Sequence, residues 1–283
     1  MDKNQGLFKI TTMSRVLQVS RSGYCRWRKR GSKPSERQWH RLTLDKLVKQ
    51  AFEAGKGRNG APRIVLGLAD AGHRYDRKTV ANSMRRQGLR AKAARKFKAT
   101  TNGVYSLPVA PNFLKQDFVA TAPNQKYVSD ITYLWTDEGW LYLAVVIDLY
   151  SRLVVGWAMS NRMTAQLACD ALQMALWRRR MPTGVIVHSD QGSQYCSRIY
   201  QALLQANGLL CSMSAKGNCY DNACAESFFH SLKVEAIHGE RFSTRAAVKQ
   251  AVFEYIEVDD NRTRRHSANG FISPELFEAQ RVA

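Results

Sequence analysis

The stretch that decides the fold runs from Val185 to Lys233; it opens with VIVHSDQGSQY at residues 185–195 and closes with KGNCYDNACAESFFHSLK at residues 216–233. Asp190 ends a short apolar run typical of a buried strand, and Glu226 stands at the head of a helical pattern. The two acids are separated by 35 residues. This pattern predicts one carboxylate at a strand end and a second on a helix.

A third acid, Asp130, lies in the strand-like run QKYVSDITYLW at residues 125–135. Aspartate is poorly suited to the interior of a strand rich in Val, Ile and Tyr unless it binds something. Three carboxylates on two strands and a helix can hold a pair of divalent metal ions, which prefer hard oxygen ligands. Such a pair stabilises the attacking and leaving oxygens of an in-line phosphoryl displacement. We therefore predict a phosphoryl-transfer site.

Each acid also has an ordinary explanation when it is taken alone. Asp190 fits a turn in SDQG, Glu226 fits a solvated helix, and Asp148 in IDLYSR is a rival acid at a strand end. Lys233 follows Glu226 by about two helical turns and therefore shares its face. A cation beside a metal–carboxylate site is well placed to hold a phosphate, so Lys233 is a candidate DNA contact.

The composition describes a globular protein of 283 residues, with 45% hydrophobic and 23% charged residues. This length allows one large domain or two to three small ones. No apolar run approaches the roughly 18 residues of a membrane span, and the N-terminus lacks a signal-peptide pattern, so we expect a cytoplasmic protein without a membrane partner. The six cysteines form no CxxC pair, which indicates free thiols rather than structural zinc.

The positive charge is confined to the N-terminal part of the chain. Residues 1–120 hold 27 Lys and Arg against 7 Asp and Glu, whereas residues 121–283 hold 16 of each. A basic excess of this kind usually serves a polyanion, and nucleic acid is the commonest one. A merely soluble basic surface is the alternative.

Two helical segments make up the basic region. Residues 1–33 are predicted to contain two short helices around a turn, with Val16 and Leu17 on an apolar face and Ser20 as the second N-cap. Residues 36–90 contain three helical patterns, in which Leu42, Leu44, Leu47, Val48, Ala51 and Phe52, then Val80, Met84 and Leu89, would pack. Both segments are helix-turn-helix candidates, although generic helix packing explains the apolar positions equally well. The candidate DNA contacts are Arg21, Arg26, Arg28, Arg77, Lys78, Asn82, Arg85 and Arg86.

Residues 91–125 show no periodicity, and we interpret them as an extended, basic, proline-containing linker. From residue 126 to residue 240 the order of patterns is β-β-β-α-β-α-β-α, which indicates a mixed sheet flanked by helices. Residues 241–283 read as a C-terminal helical segment and tail. The predicted fold class is α/β, preceded by an all-α basic region.

Several motifs in fixed order make the sequence resemble a known family. They are SDITYLW, DLYSRLVVGW, HSDQGSQY, KGNCYDNACAESFFHSLK and, at the C-terminus, NRTRRHSANGFISPELF. This set resembles the second-reading-frame product (OrfB) of bacterial insertion sequences, a transposase with a retroviral-integrase-like DDE core. SRSGYCRW, NGAPRI and VANSMRRQGLRAK resemble the N-terminal region of that family. Tyr127, Asp260, Asn269 and Phe271 depart from the family pattern; Asp260 places an acid in a segment that could approach DNA.

The resemblance implies an RNase H-like fold in which Asp130, Asp190 and Glu226 are catalytic and bind two Mg²⁺ or Mn²⁺ ions. It implies strand cleavage and strand transfer at the ends of the element, with element-end and target DNA as partners. It also implies a homo-oligomer that pairs two ends, a possible fusion with the upstream-frame product, and a place at the bacterial nucleoid. The residues expected to shape the site or cap the Glu226 helix are His188, Ser189, Gln191, Asn218 and Asn222.

Two alternatives remain open from the residues. A nuclease of the same fold would use the same acids but cut without joining. A DNA-binding accessory or regulatory subunit would use the basic region and lack independent catalysis. The intact set of three acids argues against the second alternative.

Overall fold

The computed structural model describes residues 1–31, 34–92, 110–214 and 222–281. The chain forms two compact units, Met1–Ala91 and Lys92–Ala283. The first unit is helical, and the second contains the sheet.

The first unit begins with a 3₁₀ turn, Asp2–Asn4, and two short helices, α1 (Ile10–Val16) and α2 (Arg21–Arg30). Ser20 is the N-cap of α2 as predicted, because its hydroxyl accepts a hydrogen bond from the Gly23 amide at 3.0 Å. The predicted apolar face is wrong: Val16 and Leu17 are exposed at 71% and 56%. The buried residues of this pair are instead Met13, Ser14 and Tyr24.

Three further helices, α3 (Glu36–Ala54), α4 (Ala61–Asp70) and α5 (Arg77–Arg86), pack around one small core. The core is made of Leu44, Val48, Ile64, Leu68, Val80 and Met84, with Leu89 packed at its edge. Leu42, which we expected inside, is 53% exposed. Ser35 forms a capping box with Gln38, and the Asp76 carboxylate accepts from the Thr79 amide at the start of α5. The predicted helix order is confirmed.

The second unit is built on a five-stranded mixed sheet in the order β3-β2-β1-β4-β5. Its strands are β1 (Lys126–Thr136), β2 (Gly139–Asp148), β3 (Val154–Ser160), β4 (Ile186–Ser189) and β5 (Leu210–Met213). The first three pair antiparallel as a meander, and β4 pairs parallel with both β1 and β5. Helix α6 (Ala165–Arg178) connects β3 to β4, and α7 (Arg198–Ala206) connects β4 to β5. The predicted mixed sheet flanked by helices is confirmed.

Helices cover both faces of the sheet. Helices α6 and α7 pack on one face, over a core that includes Tyr127, Ala144 and Val146. Helices α8 (Ala223–Leu232) and α9 (Arg245–Glu254) pack on the other, over Val128 and Leu143. The alternation of side chains along β1 and β2 therefore supplies two separate cores from the same two strands.

Residues 110–125 differ from the predicted extended linker. Leu114 is 1% exposed and belongs to the core beneath α8. The amides of Phe113 and Leu114 donate to the Ser212 hydroxyl, and the Lys126 ammonium binds the Asp117 carboxylate at 2.6 Å. This segment packs against the sheet because Leu114 is buried there, with Phe118 and Ala120 packed beside it. Residues 93–109 of the predicted linker lie outside the described ranges.

The C-terminal segment packs into the core of the second unit rather than forming a tail. After α9 the chain continues through a π-helical segment, Tyr255–Thr263, to the short helix α10 (Pro274–Ala279). Val248, Val252, Tyr255 and Ile256 are fully buried in the core beneath α8. The boundary drawn at residue 240 therefore divides a continuous core.

Asp260 is buried within this C-terminal segment and does not present an acid to DNA. Its Oδ1 lies 3.5 Å from Arg264 Nη1 and 3.3 Å from His266 Nε2. The adjacent Asn261 side chain pairs with both backbone groups of Val154 at the start of β3, at 2.9 and 3.1 Å. The departure from the family pattern thus has a structural role.

The contact between β3 and α6 depends on Gly156. A Cβ at this position would lie 2.1 Å from the carbonyl oxygen of Ala171 and 2.7 Å from the amide of Ala175. Because both neighbours are helix backbone, Gly156→Ala should lower the free energy of unfolding of the second unit by at least about 1–3 kcal/mol. Thermal unfolding measures this loss of stability. The matched control is Gly67→Ala in α4, where nothing lies within 4 Å; it should be neutral or stabilise by up to about 1 kcal/mol. Equal melting temperatures for both variants would contradict the close packing.

Candidate active site

The register of the sheet brings Asp130 and Asp190 together. Strands β1 and β4 run parallel, with Val128 opposite His188. Two residues further along each strand, the same register places Asp130 beside Asp190 on the same face. Asp190 lies immediately after β4, at the carboxyl end of a parallel strand, where sites in open α/β sheets collect.

Local backbone hydrogen bonds orient both aspartates. Asp130 Oδ1 accepts from the Ile131 amide at 2.8 Å, and Asp190 Oδ1 accepts from the Gly192 amide at 2.9 Å. A Cβ on Gly192 would lie 2.8 Å from Asp190 Oδ1, so a larger residue there would displace this carboxylate oxygen. One oxygen of each carboxylate is thus held in place.

Glu226 lies in the first turn of α8, the helix that packs over β1. Its side chain is exposed, as is that of Asp190, whereas Asp130 is half-buried. Asn222 occupies the N-cap position of α8, but its side chain makes no capping hydrogen bond; the residue is 6% exposed. Asn218 lies outside the described residues.

Asp130 is close enough to Asp190 and Glu226 for their charges to affect its pKa. The pKa of Asp130 is raised to about 8, mainly by burial and also by the negative charges of Asp190 and Glu226. Although Asp190 and Glu226 are exposed at the surface, desolvation by the surrounding protein raises the pKa of each above its ordinary value. A cluster of carboxylates that repel one another is the environment that a divalent cation stabilises.

The donor set fits a divalent metal, although it is not a closed ligand shell. Within residues 1–31, 34–92, 110–214 and 222–281, no three His, Cys, Asp or Glu side chains converge closely enough to hold an ion. Carboxylate oxygens are nonetheless the ligands that Mg²⁺ and Mn²⁺ prefer.

Lys233 supplies a positive charge beside this cluster. It immediately follows α8, and its charge lowers the pKa of Asp130. Its ammonium also lies over the ring of Tyr133, 5.0 Å from the centroid. The sequence predicted the first contact through helical spacing but not the second, because Tyr133 comes from a distant strand.

His188, Ser189 and Gln191 lie behind the acids rather than in solvent. The His188 ring is fully buried, with Nδ1 2.8 Å from the Ser212 hydroxyl and Nε2 3.1 Å from the Ser214 hydroxyl. Gln191 donates to the Ser214 carbonyl at 2.8 Å, and Ser189 is 2% exposed. These contacts tie the end of β4 to β5.

Two other residues clarify the site. Asp148, the rival acid, is fully buried, accepts from the Asn124 and Tyr150 amides, and pairs with Arg179 at 3.3 Å. It therefore has a structural role. Arg152, which the sequence analysis missed, donates to the Cys224 sulfur at the start of α8 and to the Phe118 carbonyl. No local pattern signals that contact, because it joins residues 72 positions apart.

The candidate DNA contacts of the first unit are exposed, but two of them have internal partners. Arg21, Arg26 and Arg28 are exposed on α2, and Arg77 and Lys78 are exposed at the start of α5. Arg86 instead pairs with Asp45 on α3, and Arg85 donates to Asn82 at 3.0 Å. The basic surface of α5 is therefore strongest at its N-terminal end.

Comparisons with known proteins agree with this architecture. Residues 120–219 and 226–282 match two family models that are both described as integrase core domain, and residues 39–97 match the HTH-like domain. The HTLV-2 integrase catalytic core domain in complex with magnesium is 14% identical, with a TM-score of 0.42 over 56% of this chain and 99% of that chain. The integrase-core matches and the mixed sheet define the class: a DDE-type polynucleotidyl transferase with an RNase H-like core.

Relatives of known name cover the whole chain. Transposase InsF for insertion sequence IS3A of Escherichia coli (strain K12) is 59% identical over 283 residues, covering 100% of this chain and 98% of the relative. An uncharacterized 31 kDa protein of insertion element IS600 from Shigella sonnei is 46% identical over 265 residues, covering 94% and 97%. The chain belongs to the family of InsF transposases of insertion sequences.

Two features expected from composition are also visible. In the described ranges, the five cysteines are all free thiols. None of the helices there has the length and apolar character needed to span a membrane.

The raised pKa of Asp130 predicts a pH-dependent stability. Between its ordinary value of 3.8 and about 8, the folded protein retains a proton that the unfolded chain has released, so stability falls as pH rises through this window. In metal-free buffer, Asp130→Asn should therefore melt above the wild type, with a difference that grows up to about pH 8. Thermal melts across pH measure it, with Asp170→Asn on α6 as the exposed control. A difference that does not vary with pH would contradict the shifted pKa.

The partners of the α5 arginines predict different effects on DNA binding and stability. Arg77→Ala should leave stability unchanged and reduce the salt dependence of DNA affinity by about one ion, as expected for a lost phosphate contact. Arg86→Ala should lower stability by about 1 kcal/mol or less, because it breaks the partly exposed pair with Asp45, and should leave the salt dependence unchanged. Titrations over a range of salt concentrations, together with thermal melts, separate the two. The reverse pattern would show that Arg86 is the DNA contact.

Proposed function

We propose that Asp130, Asp190 and Glu226 are the catalytic acids of the transposase and hold two Mg²⁺ or Mn²⁺ ions. The reaction is strand cleavage at the ends of the element followed by strand transfer into target DNA. The observation that carries the proposal is the β1–β4 register, which aligns two carboxylates under the helix that bears the third.

The ions, when bound, would supply activation of a water or 3′-hydroxyl nucleophile and stabilisation of the leaving oxygen. The residues around the acids would then orient the ligands and admit the DNA. The backbone amides at Ile131 and Gly192 fix one oxygen of each aspartate, which limits the rotation of these ligands. Lys233 offers a positive charge beside Asp130 that a DNA phosphate can approach, and the exposure of Asp190 and Glu226 leaves the site open to a duplex.

The first unit would hold the DNA. Residues 1–91 carry 22 Lys and Arg against 6 Asp and Glu, and residues 39–97 match an HTH-like domain. Element-end DNA is the partner that suits this unit, with target DNA entering at the acids. The contacts that we assign to it are Arg21, Arg26, Arg28, Arg77, Lys78, Asn82 and Arg85, with Arg86 acting mainly through Asp45.

Synapsis of two ends requires at least two copies of the chain, so we infer a homo-oligomer when DNA is bound. We further infer that the chain works with, or fused to, the product of the upstream reading frame, in the bacterial cytoplasm and on the nucleoid. His188, Ser189, Gln191 and Asn222 would support the site from behind.

Replacement of Glu226 tests the proposal directly. Glu226→Gln keeps the size of the side chain and removes the charge that would hold the metal, so joining of pre-cut element-end DNA should fall by on the order of 10²-fold or more. The measurement is a strand-transfer assay with Mg²⁺ or Mn²⁺. The control is Glu240→Gln, the same change at an exposed position after α8.

The outcomes separate the alternatives. Metal-dependent joining that is lost only in Glu226→Gln supports the proposal. Cleavage without joining in the wild type would instead identify a nuclease. Tight DNA binding with no chemistry in any variant would identify an accessory subunit, or a chain that requires its upstream fusion.

A further inference from the structure

Three exposed aromatic side chains lie together near the tip of the β1–β2 hairpin. Tyr133, Trp135 and Trp140, which we call the hairpin aromatic patch, are 47%, 57% and 43% exposed. Single exposed aromatic residues are ordinary on protein surfaces, but three in mutual contact are not. The chain has six tryptophans, and two of them are in this patch.

The strand register creates the patch. Leu134 and Thr136 face the core at 2% and 1% exposure, so the alternation of β1 turns Tyr133 and Trp135 to the opposite face. Trp140 is paired with Trp135 across the hairpin. The core on this face is formed further along the strands, by residues such as Ala144 and Val146. The patch therefore lies beyond the area that α6 covers.

The rings meet edge to face rather than in a closed stack. Their centroids are 5.0 Å apart for Tyr133 and Trp140, and 4.8 Å apart for Trp135 and Trp140, with interplanar angles of 83° and 75°. In this geometry each contact places the edge of one ring on a face of the other, so the opposite ring faces are not covered by these contacts.

Lys233 connects the patch with the acids, although the two lie on opposite faces of β1. Tyr133 follows Asp130 by three positions, so its side chain leaves the strand on the face opposite to that of Asp130. The Lys233 ammonium lies 5.0 Å from the centre of the Tyr133 ring. It is also close enough to Asp130 for the two opposite charges to attract each other. One cation thus stands between a carboxylate site and an aromatic surface.

The charge around the hairpin favours a polyanion. The two acids of the turn, Asp137 and Glu138, are bound by Arg241 Nε at 3.0 Å and by the Arg245 amide at 2.8 Å. Arg245 Nε also donates to the Trp140 carbonyl at 3.1 Å. Two arginines therefore border the patch, and both acids of the turn accept hydrogen bonds from them.

We propose that the hairpin aromatic patch stacks an unpaired base of the DNA strand whose phosphate lies at the acid site. This inference rests on the proposed function, because it assumes that the reacting phosphate lies at the three acids. A phosphate held by Lys233 would direct its base toward Tyr133, and bases stack on aromatic rings whatever their sequence. A second copy of the chain is a poorer occupant, since three side chains fall far short of the roughly 20–30 residues a side of a stable interface.

Binding without chemistry tests the proposal. The probes are a blunt duplex and the same duplex with a short unpaired 3′ extension that carries 2-aminopurine, both in EDTA. The wild type should bind the extended duplex more tightly and quench the 2-aminopurine. The double variant Trp135→Ala, Trp140→Ala should lose about 5- to 100-fold in affinity for the extended duplex, with the blunt duplex unchanged.

Matched variants show whether stacking is the cause. Trp135→Phe with Trp140→Phe should retain most of the affinity, because a planar ring remains. Trp177→Ala, which removes a 70% exposed tryptophan on α6, should bind as the wild type does. Circular dichroism verifies that each variant is folded, as expected for exposed positions.

The results distinguish this proposal from the proposed function. Equal affinity of wild type and double alanine variant for the extended duplex, or unquenched 2-aminopurine, would overturn the stacking proposal even if Glu226→Gln abolishes joining. Quenching that is lost in the double variant supports stacking even if no strand transfer is seen. A double variant that alters the sedimentation of the free protein but not its DNA binding would assign the patch to contact between copies, and so would also overturn it.

Discussion

The parallel pairing of β1 with β4 is the constraint on which the site depends. It extends over only three residue pairs, from Lys126 with Ile186 to Val128 with His188, and Asp130 and Asp190 follow directly. A slip of one residue would turn one of the aspartates to the opposite face of the sheet. The buried His188 ring, held between the hydroxyls of Ser212 and Ser214, ties β4 to β5 and so helps to fix that register. The first acid thus comes from a long antiparallel strand, and the second from a short strand supported on both sides.

The third acid is positioned by a different part of the chain. Helix α8 packs on the sheet through Phe228, Phe229 and Leu232, and the C-terminal segment packs beneath it. Beyond the helix, Glu235 accepts from Arg264 at 2.9 Å and from the Tyr255 hydroxyl at 3.1 Å. Breaking one partner of a buried ion pair is strongly destabilising, so this network fixes the end of the segment that carries Glu226 and Lys233. The closing motif of the sequence therefore supports the catalytic helix although it is distant from the acids along the chain.

Local sequence patterns predicted the helices and strands well, but they did not predict contacts between residues distant in the sequence. The order of strands and helices follows from periodicity, and Ser20 at the start of α2 follows from capping chemistry. The burial of Leu114 was not predictable, because its segment has no period and its backbone partner is a hydroxyl 98 positions away. The ion pair of Arg86 with Asp45 was not predictable either, because nothing in the sequence distinguishes Arg86 from the other arginines of this region. Val16 and Leu17 show the converse: two adjacent apolar residues are exposed, because hydrophobicity alone does not supply a packing partner.

Charge is distributed so that DNA affinity and chemistry can be served by different units. Residues 1–91 carry a net charge of +16, whereas residues 92–283, with 21 basic and 17 acidic residues, carry +4. A weakly charged catalytic unit that clusters three carboxylates would repel a phosphate unless another charge intervened. Lys233 supplies one positive charge at the cluster, and the metal ions of the proposed site would supply the rest. Because the basic unit would contribute most of the attraction to the DNA backbone, the catalytic unit can retain a site that, without metal, is electrostatically unfavourable for its substrate. Under the proposed function, such a site would favour the reacting phosphate only with the ions bound, so metal loading would be the condition for productive DNA engagement.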